Sequence, residues 1–203
     1  MDTISKYFDD LQRTLMRLPK EPIRQAVAVL HDARLNSRQV FILGNGGSAS
    51  TASHFACDLA KNVRMPGWPH FKVIPFTDNM ALMTAYANDE GYENVFSHQL
   101  ASFAMPADVV IGISTSGNSP NVLNAIKLAN ELKATTIGFT GYDGGQLSSM
   151  VDIELRIPSD CIEHIEDIHL MYEHVIISAL RDKLHEQQKS EVAFSRDGAG
   201  TVG

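Results

Sequence analysis

Two short sets of residues carry side chains able to move protons or hold a metal. The first is His54 and Asp58, four apart in a segment that reads as helix. Residues four apart share a helix face, so imidazole and carboxylate point the same way. The second is Glu166, Asp167, His169 and His174, embedded among Ile162, Ile165, Ile168, Leu170, Met171, Val175, Ile176, Ile177 and Leu180. A helix that is apolar nearly all round is buried in its own domain or against another subunit. Polar groups on such a helix need partners. One reading of the first set is a plain surface His–Asp pair. Another is that the two sets together hold a divalent metal, zinc, through nitrogen and oxygen ligands. Glu166 and His174 are eight residues apart, roughly 12 Å of helix rise. His169, three after Glu166, therefore competes with it as a ligand.

A different chemistry is suggested by two polar loops. Gly44-Asn45-Gly46-Gly47-Ser48 follows one apolar run, and Ser114-Thr115-Ser116-Gly117-Asn118-Ser119 follows another. Glycines admit an anion close to the backbone, and a helix N-terminus offers free N–H groups. The hydroxyls of residues 114, 115, 116 and 119 add donors around one point. Neither loop has the lysine of a P-loop or the G-x-G-x-x-G pattern, which favours a simple phosphate ester over a nucleotide. The bland alternative is that both are ordinary strand-to-helix turns. Ser119 and Pro120 suit the N-cap and first turn of a helix. The stretch "GYDGGQ" (141–146) reads as a turn only.

The elements that must position these groups alternate. Apolar runs at 39–44, 71–76, 108–114, 135–140 and 152–157 read as strands. Helical patterns fall at 48–63, 79–88, 92–104, 119–133 and 162–186. Two more helices precede them: one carries Ile4, Phe8, Leu11 and Leu15 on one stripe, and the other starts near Pro22. Continuous apolar strands alternating with helices imply an α/β fold, a doubly wound five-stranded parallel sheet with two N-terminal helices and a long C-terminal helix. Ligands bind such sheets at the carboxyl ends of the strands, where both polar loops fall. One domain over 1–187 is expected, with 188–203 as a flexible tail.

The 203 residues are 44% hydrophobic and 20% charged, ordinary for a soluble globular chain. A net charge of −7 argues against a nucleic-acid partner. No apolar stretch is long enough to span a membrane, and the N-terminus is unlike a secretory signal. Cys57 and Cys161 have no metal or redox spacing, so reduced thiols and a cytoplasmic location are expected.

Taken together, "GNGGSASTASHFACDL", "ANDEGYENVF", "ADVVIGISTSGNSPNV", "TGYDGG" and "IEDIHLMYEH" resemble the sugar isomerase (SIS) domain superfamily, with its flavodoxin-like sandwich, and within it the phosphoheptose isomerases. The resemblance spans about residues 2–186. It implies an enzyme converting sedoheptulose 7-phosphate to D-glycero-D-manno-heptose 7-phosphate through an enediolate. It also implies a homotetramer with sites at subunit interfaces and one zinc per subunit. By this resemblance Asn45, Gly46, Gly47 and Ser48 lie at the substrate, and Ser114, Thr115, Ser116 and Ser119 hold its phosphate. Asn88 and Asp89 contact the sugar. His54, Asp58, Glu166 and His174 fall on the metal positions, and Asp58 and His174 on the acid–base pair. Two departures stand out: the family's glutamate is Asp58 here, and its glutamine is Glu166. Glu166 is thus an alternative base. Other readings are an isomerase of another phosphosugar, or a non-catalytic phosphosugar-binding regulatory or scaffold protein such as a replication-initiator-associated factor.

Overall fold

The five apolar runs pair side by side in a computed structural model that describes residues 2–197, with side chains described to residue 185. β1 (Gln39–Gly44), β2 (Lys72–Pro75), β3 (Val109–Ile113), β4 (Thr135–Thr140) and β5 (Ile153–Arg156) form one parallel sheet in the order β2-β1-β3-β4-β5. Register is tight: Val40 is opposite Val109, Ile111 opposite Ile137 and Phe139 opposite Leu155. The sheet is the five-stranded parallel one expected from the apolar runs.

Successive strand residues point to opposite faces, and both faces are covered. Val40, Ile42, Ile111, Ile137 and Leu155 pack with α2 (Glu21–Leu35), α3 (Gly47–Lys61) and α8 (Ile162–Asp197). Phe41, Leu43 and Val110 pack on the other side with α5 (Val95–Phe103) and α6 (Pro120–Glu131). α4 (Met80–Glu90) leads through a 3-10 turn at Tyr92–Asn94 into α5. The one-turn α7 (Gly145–Ser148) falls within and just beyond the stretch read as a turn.

α1 (Thr3–Met16) divides its apolar stripe. Leu11 and Leu15 pack onto the core, while Ile4 is 71% exposed and Phe8 62%. At the other end, α8 continues to Asp197, past the boundary expected at 187. Glu186, Gln187, Gln188 and Lys189 are good helix formers, so the helix outlasts its apolar pattern. The last residues of the expected tail, 198–203, lie outside the described residues.

The strand order reverses between β1 and β3. Their connections leave in opposite directions, which opens a crevice at the carboxyl ends of these two neighbours. Both polar loops emerge there.

Candidate functional site

The loop after β3 is a tight, internally bonded turn. The Gly117 amide donates to the Ser114 carbonyl at 3.0 Å, and the Asn118 amide donates to Ser116 Oγ at 3.2 Å. Gly117 has φ +63°, in the left-handed region that favours glycine. Ser119 holds the N-cap position of α6 with Pro120 after it, yet its hydroxyl makes no cap bond. It lies 3.1 Å from Ser114 Oγ instead. The loop is braced from outside by residues 141–147. Gly141 N donates to Thr115 O at 2.9 Å, Leu147 N to Gly117 O at 2.9 Å, and Gln146 N to Asn118 Oδ1 at 3.1 Å. The stretch 141–146 is therefore a turn with a job: it fixes the shape of the hydroxyl loop.

Asn45, at the end of β1, is locked across the crevice. Its amide exchanges two 2.8 Å hydrogen bonds with buried Asn121 of α6, and Tyr92 donates to Asn45 Oδ1 at 2.8 Å. Asn121 and Tyr92 both lie in motifs read from the sequence, but neither was singled out. Gly46 and Gly47 are exposed at the start of α3, and Ser48 is buried behind them. Asn88 and Asp89 are exposed at the end of α4, bonded to one another at 2.7 Å. Among the described residues their side chains make no hydrogen bond to either loop.

Along α3 and α8 the titratable side chains converge. His54, Asp58, Glu173 and His174 each offer one ligand atom, and these atoms lie within 4.8 Å of one another. Glu173 Oε2 is 3.7 Å from His54 Nδ1 and 3.5 Å from His174 Nε2. Asp58 Oδ1 is 3.9 Å from His54 Nε2 and accepts from Asn62 Nδ2 at 2.5 Å. The two imidazoles are about half exposed and the two carboxylates buried, so the group has an open rim and a closed floor. Burial, then the neighbouring Asp58 charge, pushes the Glu173 carboxyl up to about 8. Neither Glu173 oxygen has a hydrogen-bond partner. A buried, unpartnered carboxylate flanked by imidazoles is the setting a divalent cation resolves, and the mixed N and O donors suit zinc.

Two sequence candidates from α8 lie elsewhere. Glu166 is exposed and is not in the group; its carboxylate lies so close to Gly47 that a Cβ there would meet it at 2.9 Å. His169 faces the sheet, with Nε2 3.1 Å from the Thr140 carbonyl, to which it donates. Burial pulls its pKa down from 6.5 to about 4. Glu173 was missed by sequence reasoning, although it stands directly before His174.

A parallel sheet with its switch point at β1/β3, a hydroxyl-rich loop at the end of β3 and a covering C-terminal helix define a sugar isomerase domain. The sequence model of that family, the SIS domain, matches residues 6–141, and the chain belongs to this family. Among curated proteins it is 37% identical over 188 residues to a phosphoheptose isomerase of Aliarcobacter butzleri, covering 90% of this chain and 92% of that one. A solved phosphoheptose isomerase from Neisseria gonorrhoeae superposes with TM-score 0.82 at 31% identity, over 88% of this chain and 97% of that chain. One from Francisella tularensis does so with TM-score 0.83 at 32% identity, over 89% and 97%. Within the SIS proteins, the chain is a member of the phosphoheptose isomerase family. Among the described residues no helix is long and apolar enough to cross a membrane.

Proposed function

We propose that this protein is an aldose–ketose isomerase that converts sedoheptulose 7-phosphate to D-glycero-D-manno-heptose 7-phosphate. The observation that carries the reading is the match to phosphoheptose isomerases over nearly their whole length. The geometry supplies the parts such an enzyme needs. The substrate phosphate is held by the Ser114, Thr115, Ser116 and Ser119 hydroxyls and the loop amides. Uncharged donors must outweigh a net charge of −7 here, which a preorganised loop at a helix start can do. Asn45, fixed by Asn121 and Tyr92, positions the sugar together with Gly46, Gly47 and Ser48, and Asn88 and Asp89 reach it from α4.

At the reacting end, Asp58 and His174 exchange protons with the substrate. The C1–H bond breaks, its electron pair forms the C1–C2 double bond, and the C2 oxygen takes up the negative charge. A proton then reaches C2 while the C1 hydroxyl proton passes to the C2 oxygen, which leaves an aldehyde at C1 and a hydroxyl at C2. A base and an acid placed within hydrogen-bond reach of these carbons contribute about 10²–10⁴ in rate. His54, Asp58 and His174 would hold one zinc ion per subunit, which would supply charge stabilisation to the oxygen that becomes anionic. Grip on the remote phosphate fixes the reacting carbons relative to both groups.

The protein works as a homotetramer in the cytoplasm. The free thiols of Cys57 and Cys161 suit a reducing compartment, and the bare Ile4 and Phe8 on α1 suit burial by another copy. The retained imidazole–carboxylate group favours an enzyme over a non-catalytic sugar-phosphate sensor. The test is turnover of sedoheptulose 7-phosphate beside unphosphorylated sedoheptulose. Conversion of the ester, with the free sugar at least a hundredfold poorer, is expected. Equal rates would remove the phosphate loop from the reading.

A further inference from the structure

The fourth ligand to the cation is the open question, and the two parallel runs of α3 and α8 bear on it. Gly47 to His54 is seven residues on α3, and Glu166 to Glu173 is seven on α8. Two turns of helix separate the members of each pair, roughly 10 Å. Glu166 lies against Gly47, and Glu173 lies against His54. The helices are therefore in step, and Glu166 of the same subunit is two turns short of the imidazoles. Glu173 is fully buried, neither of its carboxylate oxygens accepts a hydrogen bond, and Oε2 faces both His54 and His174. Ligand atoms around a four-coordinate zinc with bonds of about 2.1 Å stand roughly 3.4 Å apart. Glu173 Oε2 and His174 Nε2, 3.5 Å apart, already stand near that spacing, and one ligand atom from each of the four residues lies within 4.8 Å of the others.

We propose that Glu173 is the floor ligand of the cation site, completing His54, Asp58 and His174, and that Glu166 is left free beside the substrate loop. This deepens the isomerase reading and rests on it only for the site's use; the site itself stands on the geometry. Two imidazoles and two carboxylates give a site with two negative charges, which cancel those of a divalent cation. Such a site holds its ion firmly while leaving it less able to polarise a substrate oxygen.

The test is zinc titration of the metal-stripped full chain by calorimetry, with unfolding followed in parallel. Wild type is expected to take one equivalent per chain. Loss of an outer partner of a ligand typically costs about 10–100-fold in metal affinity. Loss of a direct ligand should exceed this, so E173Q is expected to bind zinc more than about a hundredfold more weakly. E166Q should stay within about threefold of wild type. E173L guards against misfolding, because replacing an unpaired buried carboxylate by an apolar side chain tends to stabilise the metal-free protein. Its melting temperature should be at least that of metal-free wild type and should no longer rise with zinc. Zinc binding by E173Q within threefold of wild type would overturn the proposal. So would loss of binding in E166Q alone, which would point to Glu166 of a neighbouring copy. A wild type that takes no zinc would overturn it too, yet would leave isomerase activity to be judged by its own turnover assay.

Discussion

Replacing Gly117 by alanine isolates the contribution of the phosphate loop. A Cβ at this position would lie 1.9 Å from the Gly144 carbonyl oxygen and 2.6 Å from its carbon. Real Cβ contacts essentially never fall under 3.0 Å, so about 1.1 Å must be made up between two backbones. No side-chain rotation can relieve it, because both partners are main chain. The 114–119 loop and its 141–147 brace would have to part, and the Leu147 N to Gly117 O bond lies across that gap. A misplacement of about 1 Å can cost roughly a hundredfold in rate, about 2.7 kcal/mol in the barrier. The positive φ adds roughly 1–2 kcal/mol against folding. Gly67 provides the control, since its φ is +85° but a Cβ there meets nothing within 4 Å. G67A should lose similar conformational stability and keep its activity. We expect G117A to fold and to lose about a hundredfold or more in kcat/KM for sedoheptulose 7-phosphate. A folded G117A within threefold of wild type would refute the loop's role in gripping the phosphate.

Three other outcomes follow from the same structure. D58N and H174Q should each lower kcat by about 10²–10⁴ with smaller changes in KM, in a direct turnover assay. His169 titrates near 4 in the folded protein against an ordinary 6.5, so the unfolded chain binds a proton that the folded chain refuses between these values. Stability should therefore fall as pH drops through that window. About 2 kcal/mol of the loss between roughly pH 7.5 and pH 5 should be absent from H169Q in urea titrations. If the wild-type and H169Q curves run parallel, His169 is not the cause. Finally, light scattering should give a mass about four times 22.3 kDa, and an I4D/F8D double variant should yield smaller species. An unchanged mass in that variant would separate α1 from the subunit contact.

The fold was readable because parallel strands buried on both faces cannot hide among polar residues. "VFIL" and "VVIGI" stand out as continuous apolar runs, and the structure has strands at all five runs. The edges were less legible. β2 and β5 are shorter than their apolar stretches, and α7 is too short to carry a period. In the site, the four-residue step from His54 to Asp58 on a helix brings both into the group. Glu173 could not be assigned this way. Which stripe of α8 faces α3 depends on how the helix is rotated by packing of Ile165, Ile168, Tyr172 and Ile176, and no local pattern encodes that rotation. The same holds for Asn121 and Tyr92, whose value lies in reaching Asn45 across 76 and 47 residues of chain.

Incubation of the protein with sedoheptulose 7-phosphate in deuterated water, followed by proton NMR, tests the enediolate chemistry most directly. We expect an aldose signal to grow, with deuterium carried at C2, because the proton arriving there comes from a side chain that exchanges with solvent. Failure of any aldose to form at saturating ketose, with wild-type protein loaded with zinc, would contradict it.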